Sequence, residues 1–345
     1  MSRFKLNSSG VTRVVCLLLL LTFLSTPVSA NPIPIRALVL TMFEIGENSG
    51  DVAGEFQHWY VEFFSDADSY EIRGAYSPLF VNRDGVAGTI TGMGKARSAA
   101  SLMAILKDPR FDFSKTYFMV SGCAGVSPER GTLGDVFICD WVVDYELGYR
   151  WKESDAEDKS VLFMLSDYYK DDGAIKLNSD LAKWAFEIAK GIELEDDPQA
   201  VEYRKFYTQE AANSKPSVRT GTSVTSDAYW HGNRSSQQAF AICEAYGASP
   251  YGVTQMKDNA FAIILRAMDY LGRFIVVRSV VNFDQPHPGQ TVTESLNAPS
   301  GGFSIGMING HRVGSAIIRR ILDNWAEWEL GVPEFISPPL ELGCY

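Results

Sequence analysis

Beyond its first thirty residues the chain has no apolar run long enough to cross a bilayer, so it cannot form a membrane channel by itself. It is also short of positive charge. Setting aside Arg3, Lys5 and Arg13 with the leader leaves 28 basic residues against 42 acidic ones, a net charge near −14. Phosphate-backbone binding needs a basic face, and a nucleic-acid partner is therefore excluded. Cysteine is scarce and its spacing forms no zinc pattern. Cys123, Cys139, Cys243 and Cys344 remain after the leader, and in an oxidising compartment four thiols pair in any of three ways. Buried free thiols are an equally good reading of Cys123 and Cys139, which stand among small and apolar neighbours. No internal repeat or low-complexity tract is present.

Two cofactor motifs are absent as well. Lys95 follows Gly94 but is itself followed by Ala96, and position 89 is not glycine, so the phosphate-loop pattern fails. The dinucleotide fingerprint fails for want of a third glycine and of an acidic residue closing a second strand. No cofactor and no metal is expected. The stretch between Arg36 and Arg73 contains no lysine or arginine, although it carries Glu44, Glu47, Asp51 and Glu55. Phosphate would find no cation there. Glu44 or Glu47 reads either as an acid/base beside a ligand or as part of a solvated acidic loop.

What is present begins with a leader. Three basic residues, an apolar run from Val14 to Leu24 and then Val28-Ser29-Ala30 make residues 1–30 a secretory signal peptide, cut after Ala30. Its apolar core is about half of the roughly 20 residues that a bilayer span requires. Export to the periplasm or the extracellular space is the expectation. Residues 31–345 suit one large α/β domain or two smaller ones.

Along that chain, Ile35–Thr41 reads as a buried first strand, and Gly88–Gly94 as a short strand emptying into a helix from Lys95 to Lys107. A glycine before a helix lets backbone amides approach a ligand; tight packing of a small-residue helix is the alternative. Thr116–Ser121 is a further strand, followed by Gly122-Cys123-Ala124-Gly125, read as a loop of nearly bare backbone. Asp135–Val143 is the next strand. Residues 146–217 turn charged and partly helical, with apolar faces over Leu181–Ala189, and read as an inserted surface layer. Val218–Tyr229 resumes the strand pattern and ends at Tyr229-Trp230-His231, an aromatic pair that would stack on a flat heterocycle or fill a core. Phe261, Ile264, Leu265, Met268 and Leu271 share one helical face, with Gly272 as the stop and Phe274–Val277 as a buried strand running on to Asn282. A last helix spans Ile305 to Trp328, ahead of a proline-rich tail.

The order of the short motifs is more telling than any one of them. Thr91-Gly92-Met93-Gly94-Lys95, Ser121 to Gly125, Gly134-Asp135-Val136, Thr225 to Tyr229, Met256, and Val277-Arg278 leading to Asn282 together resemble the nucleoside phosphorylase and nucleosidase superfamily. More closely, TMFEIGE, KTYFMVSGCAGVSP, GTLGDV, TSDAYWHG, TQMKDNA and FDQPHPGQT are similar to the purine nucleoside permease family, exported proteins associated with nucleoside uptake. The likeness spans nearly all of the chain after the leader.

That resemblance implies a single domain over residues 31–345, folded as a three-layer α/β/α sandwich about a mixed, twisted sheet. It implies a site for purine nucleosides or bases. Gly122, Cys123, Ala124 and Gly125 would lie near ribose and base, Tyr229 and Trp230 would line the purine, and Met256 would underlie the sugar. Asn282 would stand where relatives hydrogen-bond purine N7; an amide donates there but delivers no proton. Lys257 occupies the place of the superfamily's ribose-binding glutamate and cannot replace it as an acceptor, so that Asp258 or Glu44 would have to supply the carboxylate. It also admits a ligand that carries an anion where nucleosides carry a diol. Phosphorolysis is disfavoured, since the first loop and residues 119–121 lack arginine. Hydrolysis, with Glu44 or Glu47 activating water, remains the enzymatic alternative to capture of nucleosides for uptake. The likeness leaves room for a membrane transport partner and for a homo-oligomer.

Overall fold

A computed structural model describes residues 31–158 and 163–336; the leader and Cys344 lie outside them. The apolar β-branched run after the leader forms β1 (Ala37–Thr41), every residue of which is buried. Its neighbours are β2 (Val86–Ile90) and β3 (Tyr117–Val126), both parallel to it. Between β2 and β3 the chain makes α1 (Lys95–Leu106), which turns Leu102, Ile105 and Leu106 inward.

The long central strands are β4 (Val136–Asp144), β6 (Val218–Thr225), β7 (Tyr251–Gln255) and β8 (Phe274–Phe283), with short β5 (Ala174–Lys176) on the edge beside β4. They belong to one mixed ten-stranded sheet. β4, β6 and β7 are mutually parallel and run opposite to β1, β2, β3 and β8. Because β8 pairs with both β3 and β4, strands β4, β6, β7, β3 and β8 close into a ring. The expected mixed α/β architecture is present, and its middle is barrel-like, a closure that a plain layered sandwich does not contain.

Helices cover both faces. On one, α1 and α4 (Asp258–Ala267) bury Leu102, Ile105, Phe261 and Leu265 against Leu38, Leu40 and Val120. Each of these larger side chains is worth about 1.5–3 kcal/mol relative to exposure. On the other, α2 (Ser179–Ala189) and α5 (Gly302–Asp323) pack Leu181, Val313 and Ile317 over Val39, Ile138 and Val277. Gly306, Gly310 and Gly314 recur every fourth residue on α5. A Cβ on Gly306 would lie 2.6 Å from Val281 and one on Gly310 would lie 2.8 Å from Ser279 Oγ, so bare backbone is what lets α5 rest on β8.

Three expectations are corrected. Gly122–Gly125 is not a loop: β3 continues through it, because β8 pairs with it from Arg278↔Gly122 to Asn282↔Gly125. α4 stops at Ala267 instead of reaching Gly272, since Asp269 takes a left-handed φ of 61° and Leu271–Arg273 form a separate 3-10 turn. The strand expected over 218–229 ends at Thr225. Cys123, Cys139 and Cys243 are free thiols.

Candidate ligand site

The two oppositely running sets of strands meet at their carboxyl ends, where β7 pairs with β3 only at Val253↔Val126 and Thr254↔Gly125. A cavity of about 260 Å³ opens at this crossing. Cys123, Ala124 and Gly125 come from the end of β3, Ala228–Trp230 from beyond β6, Thr254–Lys257 from the end of β7, and Val281 and Asn282 from the end of β8. Phe43, Met93 and Phe303 add to the lining from the segments after β1 and β2 and from the start of α5. Nearly all the residues expected to face a ligand thus share one wall. Gly122 is the exception. Its missing Cβ would strike Met42, Arg278 and Glu55 behind the wall, so it makes room for the charges there.

The flat surface is Trp230, half-buried and stacked on Tyr145 with ring centroids 5.1 Å apart and planes at 21°. The Arg150 guanidinium lies over the Tyr145 ring at 4.2 Å, so the ring that backs the tryptophan is itself held by a cation. Tyr229 is exposed at the rim. Asn282 is half-buried, and its amide donates to Phe283 O at 2.8 Å. A side chain at Gly125 would begin 3.0 Å from that amide nitrogen, so Gly125 sets how close Asn282 stands to β3.

Gln255 aims the next two residues. Its amide donates to Ser223 Oγ at 3.0 Å and Thr225 Oγ1 at 2.7 Å, and its carbonyl accepts the backbone N–H groups of Lys257 and Asp258 at the start of α4. With both ends of that amide engaged, the turn holding Met256 and Lys257 is fixed. Lys257 is 4% exposed, and its ammonium touches Met93 Sδ at 3.3 Å. Burial lowers its pKa, partly offset by the field of Glu55.

Behind the wall sits a charge cluster. Asp258 and Arg278 form an ion pair with both side chains fully buried; Asp258 also accepts from Ser223 Oγ at 2.6 Å, and Arg278 donates to Cys123 O at 3.2 Å. Glu55 is 6% exposed and accepts the backbone N–H groups of Met42 and Cys123, each at 2.8 Å. It ties the end of β1 to the end of β3. Burial and the Glu55 charge push the Cys123 thiol up, so it stays protonated at neutral pH. Glu55 is the site residue that the sequence reading left unassigned among the acids of its loop. Its distinguishing signal is its place, directly ahead of the aromatic run beginning at Phe56.

The other acids lie elsewhere. Glu44 accepts backbone N–H groups from Ile45, Gly54, Phe56 and Gln57, so its carboxylate is spent on folding its own loop. Glu47 is exposed, and neither lines the cavity. Asp258 is committed to Arg278. The start of α1 is occupied too: Asp227 accepts the Lys95 N–H at 2.7 Å, while the Lys95 ammonium bridges Asp144 and Glu146 at 3.0 and 2.5 Å. Burial resists ionisation of Glu146, but hydrogen bonds from Lys95, Ser226 and Ala228 outweigh it and bring its carboxyl down to about 2. An internal carboxylate therefore takes the place that an external anion would need.

The sequence profile of the purine nucleoside permease family matches residues 34–333. The chain belongs to this family. It is 29% identical over 265 residues to a protein of Schizosaccharomyces pombe named as a probable purine nucleoside permease, covering 69% of this chain and 76% of that one. It is 28% identical over 257 residues to the purine nucleoside permease of Candida albicans, covering 68% and 63%. The match thus spans less than two thirds of the Candida permease. Among solved structures the fold is similar to a 5'-methylthioadenosine/S-adenosylhomocysteine nucleosidase of Neisseria meningitidis, with a TM-score of 0.53, 14% identity and coverage of 84% and 99%. A nucleosidase of Colwellia psychrerythraea (TM-score 0.54, 16% identity, 88% and 98% covered) and the futalosine hydrolase of Helicobacter pylori (0.56, 10%, 83% and 98%) are similar in the same way. In this permease-family chain the fold frames a cavity whose wall carries the Asn282 amide and the Lys257 ammonium.

Proposed function

We propose that this protein captures a purine nucleoside or its free base in the cavity between β3, β7 and β8, and that capture serves nucleoside uptake. One observation carries the reading: Cys123–Gly125, Trp230, Met256, Lys257 and Asn282, drawn from four distant segments, converge on a cavity backed by an aromatic stack. Its size is close to the lower end of small-molecule sites, which run from about 300 Å³ upward. Family membership supports the transport role, and the Colwellia nucleosidase was solved with adenine. In this proposal the protein acts outside the cytoplasm after losing residues 1–30, delivers ligand to a membrane transport partner, and assembles as a homo-oligomer. The helices on both faces of the closed sheet make up the outer layers of a three-layer α/β/α arrangement.

Hydrolysis is the second reading, favoured by the nearby buried carboxylate of Glu55. Against it, both Glu55 oxygens already accept backbone N–H groups, and Asn282 has no proton to give a leaving base. Phosphorolysis has less support, since Lys257 is the one cation among the described wall residues. Mixing the mature chain with adenosine, inosine and guanosine, with and without phosphate, separates these readings. Heat of binding with no base released is the expected result. Release without phosphate would establish the nucleosidase, and no signal with any of the three would sink both.

A further inference from the structure

Lys257 is the one charged side chain among the described residues of the cavity wall, and its partners do not satisfy it. An ammonium has three hydrogens to place and is strongly hydrated in water. Here it is 4% exposed and within reach of a single thioether, Met93 Sδ, a weak acceptor. Among the described residues no carboxylate stands within ion-pair distance of it. The nearby acids are spoken for: Glu55 holds the Met42 and Cys123 amides, and Asp258 holds Arg278 and Ser223. Each neighbouring basic group is matched, Arg278 by Asp258 and Lys95 by Asp144 and Glu146. A methionine or leucine would fill the space at Lys257 with no desolvation penalty, so packing does not account for a cation there.

We propose that Lys257 recognises an oxyanion on the ligand, so that the preferred occupant is a purine-type heterocycle bearing a phosphate or a carboxylate instead of a neutral sugar alone. The inference rests on the heterocycle reading of the aromatic wall given above. Trp230 provides the flat seat, Lys257 the charge, and the donors of its ammonium reach oxygen from a side chain that is itself buried. The overall acidity of the chain does not oppose this. Surface charges farther than about 8–10 Å are screened at physiological salt, whereas a buried cation in the wall is not.

Calorimetric titration of the mature chain tests it with adenosine, adenosine 3′- and 5′-monophosphate, and adenin-9-ylacetate, the last separating carboxylate from phosphate. At least one anionic compound is expected to bind tenfold or more tighter than adenosine. In Lys257→Met that preference should shrink to within about twofold, and Lys257→Arg should keep it. Adenosine binding as tightly as every anionic compound, or a preference that survives in Lys257→Met, overturns the proposal and leaves nucleoside capture standing. Absence of binding by all four compounds overturns both. If Lys257→Met does not fold, the wild-type ranking decides.

Discussion

Two buried cations, Lys257 in the cavity wall and Arg278 behind it, are treated in opposite ways. Arg278 is held by Asp258 through several hydrogen bonds and also donates to Cys123 O, whereas Lys257, on the residue before Asp258, touches only a thioether. A buried pair costs desolvation and returns most of it through mutual attraction, so it stabilises little but is harmful to break. The Lys257 ammonium has no ion-pair partner among the described residues, and the field of Glu55 offsets its burial only in part. The first arrangement fits architecture, joining α4 to β8 behind the wall; the second fits recognition, with the return supplied by a ligand.

The largest effect should come from breaking the pair. Asp258→Ala strands Arg278 in the core and is expected to cost about 3–5 kcal/mol of stability in a denaturant titration, whereas Lys257→Met should leave stability unchanged or raised. Equal losses in the two variants would erase the contrast. Next comes Asn282→Ala, expected to weaken purine binding by about 1–3 kcal/mol while stability holds, as read by calorimetry; unchanged affinity would remove Asn282 from the ligand wall.

A pH effect comes third. Asp284 is fully buried, accepts from Ser236 Oγ at 2.8 Å and Tyr251 OH at 2.9 Å, and burial raises its carboxyl to about 7. Between an unfolded value of about 4 and that folded value, the native chain keeps a proton that the unfolded chain releases. Stability from this group therefore falls as pH rises from about 4 to about 7, and Asp284→Asn should flatten that slope in melting curves. A slope unchanged in the variant would assign it to other groups. The smallest effect belongs to Glu47→Ala on the exposed loop, within about 0.5 kcal/mol in stability and with no change in ligand binding. A clear loss of binding there would return Glu47 to the site.

How legible these features were in the sequence varies by residue. β1 and α1 were readable because their signals are local: a β-branched run, a glycine ahead of a small-residue helix, an apolar stripe. The wall residues around Met256 and Asn282 were readable through a family resemblance, as ordered motifs. Gly122–Gly125 was misread as a loop because four small residues carry no strand signal of their own. The hydrogen bonds that make them a strand come from β8, more than 150 residues later. Glu55 was passed over for a similar reason. Its one local mark, the aromatic run that follows it, names no partner, and the approach of β3 to β1 is what brings its oxygens to the Met42 and Cys123 amides.

The sequence alone determined the elements that carry a local signal, the acidic balance and the identities of Lys257 and Asn282, since these follow from local pattern, composition and ordered motifs. Tertiary structure decided which charges are paired. Ring closure by β8 brings Arg278 onto Asp258, the meeting of β3 and β7 at their ends opens the cavity, and the Gln255 turn points Lys257 into it. Charge compensation in a core depends on distances of a few ångströms between segments far apart along the chain, and only the folded arrangement sets those.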